Sequence, residues 1–250
     1  SNMVPASSRL ADNLQIRLGS SLKENKKGFA GYLDKLTKYY LFNIKKFDPE
    51  KFTAATFKIE GTNQEVKHQL SNLKRLSKKH NGFVAGASTG KSGYLATMVI
   101  AYIRELIFTQ NILGETMETS VPWSKINKVK TEAHNLLNEL HKKHNLPGKP
   151  FFTSRISKIY HTGVCMYNTI AMCYDGVENP EDVFTKIEYS MRENFIKNGG
   201  SISHHHGVGK LRKDFMKETI SDGSVSLIQG IKKDQDPKNI FGVNNNIVNN

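Results

Sequence analysis

Residues 150–174, PFFTSRISKIYHTGVCMYNTIAMCY, constrain the fold more than any other part of the chain. The stretch is rich in β-branched and aromatic residues, is too long for one ordinary strand, and carries Gly163 near its middle. Two antiparallel strands, with Gly163 at a turn or bulge between them, are the economical solution. Such a pair must bury one face, and the rest of the chain supplies the cover. Apolar residues recur at helical spacing over 20–44 (Leu22, Phe29, Leu33, Leu36, Tyr40, ended by Phe47-Asp48-Pro49), 64–80, 94–113, 124–144 and 180–197. Ser124 reads as the cap of the fourth of these helices and Pro147 lies beyond its end. Two more segments read as strands: 51–61 (KFTAATFKIEG) and 115–121, the latter stopped by Pro122.

Between these elements lie a glycine-rich loop at 82–93 and an irregular loop at 199–209. Two short helical pieces follow over 210–233, and the chain closes on an asparagine-rich tail at 244–250. Strands separated by helices, with a hairpin signal, predict an α+β fold: an antiparallel sheet flanked by helices over 1–180, followed by a helical C-terminal region over 181–250.

A core of this kind needs apolar mass, and 38% hydrophobic residues with 13 Phe and 9 Tyr among 250 provide it, which excludes a disordered chain. Lys and Arg number 36 against 23 Asp and Glu, a net charge of +13 that favours anionic partners: phosphates, nucleic acid or acidic lipid heads. Cys165 and Cys173 are too few for a disulfide framework or a four-cysteine zinc site, so they read as small hydrophobes in a reducing compartment. The longest apolar run, 94–108, is broken by Arg104 and Glu105 and falls short of the roughly 20 residues of a spanning helix. Ser1-Asn2-Met3 reads as added residues before a chosen start point, so the chain is expected to be part of a longer protein.

The densest chemistry lies in Ser203-His204-His205-His206-Gly207-Val208-Gly209-Lys210-Leu211-Arg212-Lys213. Imidazoles titrating near neutrality shuttle protons or donate to oxyanions, and glycines let backbone N–H groups approach a ligand. Lys210 and Arg212 can neutralise a phosphate. An active-site loop for a phosphorylated substrate is the favoured reading; a metal site and a solvated polar loop are the others. Three adjacent histidines point in different directions, so one metal ion rarely takes all three, and no metal is expected.

Three further features invite a role. Gly86-Ala87-Ser88-Thr89-Gly90-Lys91-Ser92 falls one residue short of the phosphate-cradling G-x-x-x-x-G-K-[ST] pattern and reads as a surface loop. Arg104 sits inside an apolar helix, where it must be paired or face a cavity. Tyr167 lies on a strand, as a packed core residue or as a base, and in the second role it needs a cationic or histidine neighbour because its ordinary pKa is near 10.

Five segments in order, PASSRLADN (5–13), GYLATMVIAYIREL (93–106), GETMETSVPW (114–123), NGGSISHHHGVGKLRK (198–213) and DPKNIFG (236–242), resemble the alkyldihydroxyacetonephosphate synthases, flavoproteins of the FAD-linked oxidase and vanillyl-alcohol oxidase superfamily. The resemblance covers nearly the whole chain, and the triple histidine before GVGKLRK is its most specific mark. It implies an alkyl transfer without net redox change, in which the fatty acid of acyl-dihydroxyacetone phosphate is exchanged for a long-chain fatty alcohol and FAD is the covalent partner. It matches Tyr167 to the family's proton-handling tyrosine and His204, His205 and His206 to its active-site histidines. Arg104, with His206, is placed near the flavin and substrate, and Arg9 is matched to a substrate-binding arginine. The family's FAD-binding half precedes PASSRLADN, so most of the flavin contacts would come from outside this chain. At the C-terminus Val243-Asn244-Asn245 stands where the family carries an arginine, and nothing is transferred there.

The resemblance also implies a peroxisome or related organelle and a membrane-associated full-length protein, with no nucleic-acid partner and with a homodimer left open. The end Val248-Asn249-Asn250 is not an import tripeptide. Two other readings compete: a different FAD-linked oxidase acting on a 2-hydroxy acid, and a basic module binding phosphate or nucleic acid.

Overall fold

The computed structural model describes residues 4–21 and 28–245, with the backbone alone at 29, 30, 92–101 and 104. The predicted architecture is present: a five-stranded antiparallel sheet flanked by helices, with strand order β2-β1-β4-β5-β3. The chain forms two compact units, 1–106 with 153–158, and 107–152 with 159–250. The expected domain boundary at 180/181 falls within the second unit.

The first unit contains β1 (Ser7–Ala11), α1 (Asn13–Ser21), α2 (Gly28–Tyr39), β2 (Ala54–Lys58), α3 (Asn63–Lys79) and most of α4 (Ala87–Phe108). Of the helix expected over 20–44, residues 22–27, Leu22 among them, lie outside the described residues; α2 covers Gly28–Tyr39 and ends in one wide π turn at Tyr40–Ile44. Strands β1 and β2 pair antiparallel, placing Arg9 opposite Thr56. Asp12, nearly buried, starts α1 by accepting the Gln15 N–H at 3.0 Å. It also accepts the Ser154 N–H at 2.9 Å and the Thr153 hydroxyl, so PASSRLADN is held by its own aspartate. Helix α3 begins with a capping box, in which Thr62 and Glu65 each satisfy the other's backbone N–H.

Glycine-rich 82–93 is not a loop throughout, because α4 starts at Ala87 and takes in most of the phosphate-loop-like segment. A Cβ on Gly90 would meet nothing within 4 Å, so its helical placement requires no glycine, and the adjacent apolar run extends the helix back through it.

The second unit holds β3 (Ile112–Pro122), α5 (Ile126–Lys143), the ends of β4 (Phe151–Ile159), then β5 (Gly163–Cys173), α6 (Pro180–Lys197), α7 (Met216–Thr219) and α8 (Asp222–Gln235). The hairpin of 150–174 is thus as read, with Tyr160–Thr162 as its loop. Strands β3 and β5 pair antiparallel along eleven residues, from Ile112↔Cys173 to Pro122↔Gly163. Ser124 does not cap α5: a 3₁₀ turn at Trp123–Lys125 takes up that residue, Lys125 occupies the cap position, and the Trp123 indole N–H donates to the Tyr160 carbonyl at 3.0 Å.

Helical spacing buries Val129, Ala133, Leu137 and Leu140 of α5 and Ile187, Met191 and Phe195 of α6 in the same core as Met117, Val121, Met166 and Ile170. A smaller cluster of Ile202, Phe215, Met216 and Val225, with Val208 against it, anchors both ends of the histidine segment. At the C-terminus Asp236 accepts the N–H groups of Ile240 and Phe241, each at 2.9 Å, and pairs with Lys232, which makes DPKNIFG a closed turn.

Candidate active site

Opposed residues of an antiparallel pair share a face of the sheet. The β3–β5 register therefore sets Glu118 beside Tyr167, with Thr116 and Ser120 above and below and Cys165 next to Ser120. The triple-histidine loop lies over this face. It leaves α6 through Asn198-Gly199-Gly200, where Gly199 at φ +86° ends the helix and its N–H bonds the Ile196 carbonyl at 2.8 Å. Gly200 passes so close to β3 that a Cβ there would meet Thr119 Oγ1 at 2.3 Å. Next, Ser201 is stitched to β3: its N–H donates to the Ser120 carbonyl (3.0 Å), its hydroxyl accepts the Ser120 N–H (2.9 Å), and its carbonyl accepts the Thr119 hydroxyl (2.8 Å).

The centre of the site is a residue the sequence reading did not single out. Glu118, whose side chain is fully buried, accepts the backbone N–H groups of His204 (2.7 Å), His205 (2.5 Å) and His206 (2.5 Å) and the Ser203 hydroxyl (2.8 Å), all on Oε1. Its other oxygen is paired with Nδ1 of His205. Burial alone pushes a carboxylate pKa up, but the converging donors from His206, His204, His205 and Ser203 outweigh it and hold Glu118 at about 2. The N–H groups of the three histidines are therefore bound to an internal anion.

The imidazoles fan out from this anchor. His204 is bonded through Nε2 to the Tyr160 hydroxyl at 2.6 Å, and its Nδ1 lies 3.0 Å from Nδ1 of His205. Tyr167 stacks on His205 with ring centroids 5.9 Å apart and meets His206 edge-on at 5.4 Å, while its hydroxyl donates to Thr116 Oγ1 at 3.1 Å. Burial lowers the His206 pKa below its usual range; Glu118 opposes this, and His205, Arg212 and Arg192 reinforce it, which favours the uncharged ring.

The structure thus brings together Tyr167, His204, His205 and His206. Arg212 is buried beneath the loop and donates from Nη1 to the Gly207 carbonyl at 3.2 Å, bracing the loop from below, whereas Lys210 is exposed. Arg9 lies on β1 of the first unit, and the Arg104 side chain falls outside the described residues. Besides Glu118, the sequence reading missed the buried pair Arg192–Glu188 on α6, whose i,i+4 spacing was a legible signal.

Glu118, Cys165, His204 and His205 bring four donor atoms within 4.8 Å of one another, more convergence than three adjacent histidines led us to expect. Each has a proton-sharing partner: the Cys165 thiol points to Glu118 Oε2 at 3.8 Å, and the histidines bond Glu118, Tyr160 and each other. The cluster closes on itself by hydrogen bonds.

The site is a sheet face that carries Tyr167, with the three imidazoles on the loop that crosses it. The chain belongs to the family of FAD linked oxidases, C-terminal domain, whose model matches residues 1–244. Within that class it is similar to the alkyldihydroxyacetonephosphate synthase of Caenorhabditis elegans, with 36% identity over 238 residues, covering 95% of this chain and 40% of that protein. It is also similar to the enzyme of the same name from Dictyostelium discoideum, with 26% identity over 242 residues, covering 96% of this chain and 39% of that protein. A solved structure of an alkyldihydroxyacetonephosphate synthase shares the fold, with a TM-score of 0.67 at 20% identity, covering 95% of this chain and 39% of the other. The chain thus spans about two-fifths of the length of these relatives.

Proposed function

We propose that the chain is the C-terminal part of an alkylglycerone-phosphate synthase, a flavin-dependent alkyl transferase of ether-lipid synthesis. It would exchange the acyl chain of acyl-dihydroxyacetone phosphate for a long-chain fatty alcohol, with release of the fatty acid. The observation that carries this reading is the packing of Tyr167 against both His205 and His206. Removing and returning a proton beside a carbonyl needs a base held near groups that share its proton, and two imidazole rings lie beside the Tyr167 ring, with centroids 5.9 and 5.4 Å away. The uncharged ring of His206 can donate to a departing carboxylate or accept from an incoming alcohol. Exposed Lys210 is the phosphate ligand of this scheme. Arg212 acts through the loop it braces, and substrate binding by Arg9 and Arg104 is proposed from the family resemblance alone.

FAD, when bound, supplies covalent catalysis with no net redox change. The chain's residues fit such a group: the imidazoles of His205 and His206 are partly exposed, and a Cβ on Gly207 would meet nothing within 4 Å, so a flat ring can approach the loop. His206 and Arg104 would contact it, and most of its binding energy would come from the part of the relatives' length that this chain does not span. The isolated 250-residue chain is therefore expected to purify colourless; a stoichiometric yellow flavin spectrum would refute that division of labour. The reading places the whole protein at a membrane surface in a peroxisome or related organelle, as its two lipid substrates require.

Joined to a flavin-binding half, the chain is expected to catalyse alkyl exchange, and Tyr167→Phe and His206→Ala should each lower kcat by about 10²-fold or more. Full activity in both variants would overturn the site.

A further inference from the structure

The hydrogen bonds around Glu118 determine which ring nitrogens of the site carry protons. Its Oε2 is in contact with Nδ1 of His205, and a carboxylate held near pKa 2 is ionised and only accepts, so Nδ1 of His205 carries the proton. The same Nδ1 lies 3.0 Å from Nδ1 of His204, which must then be the bare, accepting nitrogen of that ring. The alternative, a protonated His204 Nδ1 serving Glu118, fails on distance, because that pair is 3.6 Å apart. With Nδ1 bare, His204 carries its proton on Nε2 and donates it to the Tyr160 hydroxyl at 2.6 Å. One direction of donation runs through the set. His204 Nε2–H points to Tyr160, and His205 Nδ1–H is shared between Glu118 and His204.

We propose that Glu118 is the positioning residue of this site: through the Nδ1–H of His205 it leaves the Nε2 lone pair of His205, on the half-exposed ring stacked against Tyr167, as the base the site presents. Proton transfer to that Nε2 from the attacking fatty alcohol makes an imidazolium whose charge is offset by the ionised Glu118 on its far side. Passing that proton to the leaving carboxylate restores the neutral ring. The three backbone bonds from His204, His205 and His206 to Oε1 give the same residue a second task, fixing the main chain from which these rings project. The catalytic part of the proposal rests on the alkyl-exchange reading; the proton arrangement does not.

Two measurements separate them. Long-range ¹H–¹⁵N correlation spectra of the labelled chain report each histidine tautomer without substrate or flavin. His205 is expected with Nδ1 protonated and Nε2 bare, and His204 with the reverse. In Glu118→Gln the amide oxygen still accepts the loop's N–H groups while its NH₂ faces His205, so His205 should switch to the Nε2–H form; Glu118→Asp should keep the original one. An Nε2–H His205 in the parent protein, an unchanged tautomer in folded Glu118→Gln, or a stoichiometric metal ion lost on that substitution would each overturn the proposal. If Glu118→Gln does not fold, the parent spectrum alone decides. In the chain joined to a flavin-binding half, Glu118→Gln should lower kcat by about 10²-fold or more while KM moves far less, as expected for a wrong tautomer. Absence of alkyl exchange in the parent enzyme would defeat the functional reading and leave the proton arrangement standing. Exchange that survives Glu118→Gln would defeat the positioning role alone.

Discussion

Alanine at position 118 is expected to destabilise the second unit by about 3–5 kcal/mol, because several donors lose one charged acceptor at about 1–3 kcal/mol for each buried group left unsatisfied. The substitution leaves the N–H groups of His204, His205 and His206 and the Ser203 hydroxyl without their common acceptor, and removes the carboxylate partner of His205 Nδ1. Urea unfolding followed through Trp123, the chain's one tryptophan, reads this unit directly, since its indole bonds the Tyr160 carbonyl beside the site. A loss below about 1 kcal/mol, the worth of a single ordinary hydrogen bond, would show that water replaces the carboxylate freely.

The same group gives a pH signature with a definite sign. Glu118 is held at about 2 in the folded protein against an ordinary value of 4.5, so its contribution is complete above about pH 4.5 and is lost as pH falls towards 2. That shift corresponds to on the order of 3 kcal/mol. The stability gap between the parent protein and Glu118→Ala should therefore be widest at neutral pH and narrow through this acid window. A gap that is flat with pH would mean that the carboxylate is not specially stabilised in the fold.

The second large effect belongs to Gly163→Ala. The register pairs Gly163 with Pro122 at the end of the β3–β5 ladder, and a Cβ there would lie 2.1 Å from the Val121 carbonyl oxygen, 2.9 Å from its carbon and 3.0 Å from Pro122 Cα. All three atoms are backbone, so no rotamer change relieves the clash and the strands must part. A loss of about 3 kcal/mol, at the upper end of overpacking costs, is expected in the same urea experiment. Gly230→Ala in α8 is the control: a Cβ there meets nothing within 4 Å, and the helix should gain about 0.5–1 kcal/mol. If Gly163→Ala cost no more than the control, the tight crossing at Val121 would be wrong.

Much of this architecture is legible in residue order. The strand chemistry of 150–174 and its internal glycine specify a hairpin whatever the rest of the chain does, and the helix at Pro180–Lys197 follows from apolar spacing with a proline at its first turn. The histidine loop stands out because three titratable rings and two glycines rarely occur together without a task. Local pattern fails where a neighbour distant in sequence decides. Ala87 begins a helix although its surroundings read as a glycine-rich loop, and Ser124 yields the cap position to Lys125 because Trp123 is drawn to the Tyr160 carbonyl.

Glu118 shows the same limit in the site. In GETMETSVPW two glutamates stand three residues apart, and nothing in that string tells the partly exposed Glu115 from the buried Glu118. The sequence by itself determined the hairpin, the covering helices and the residues that can move protons. Only the tertiary structure decided that three successive histidine N–H groups close on one carboxylate 86 residues or more earlier in the chain, because a buried charge is stable only where the donors that replace its water converge.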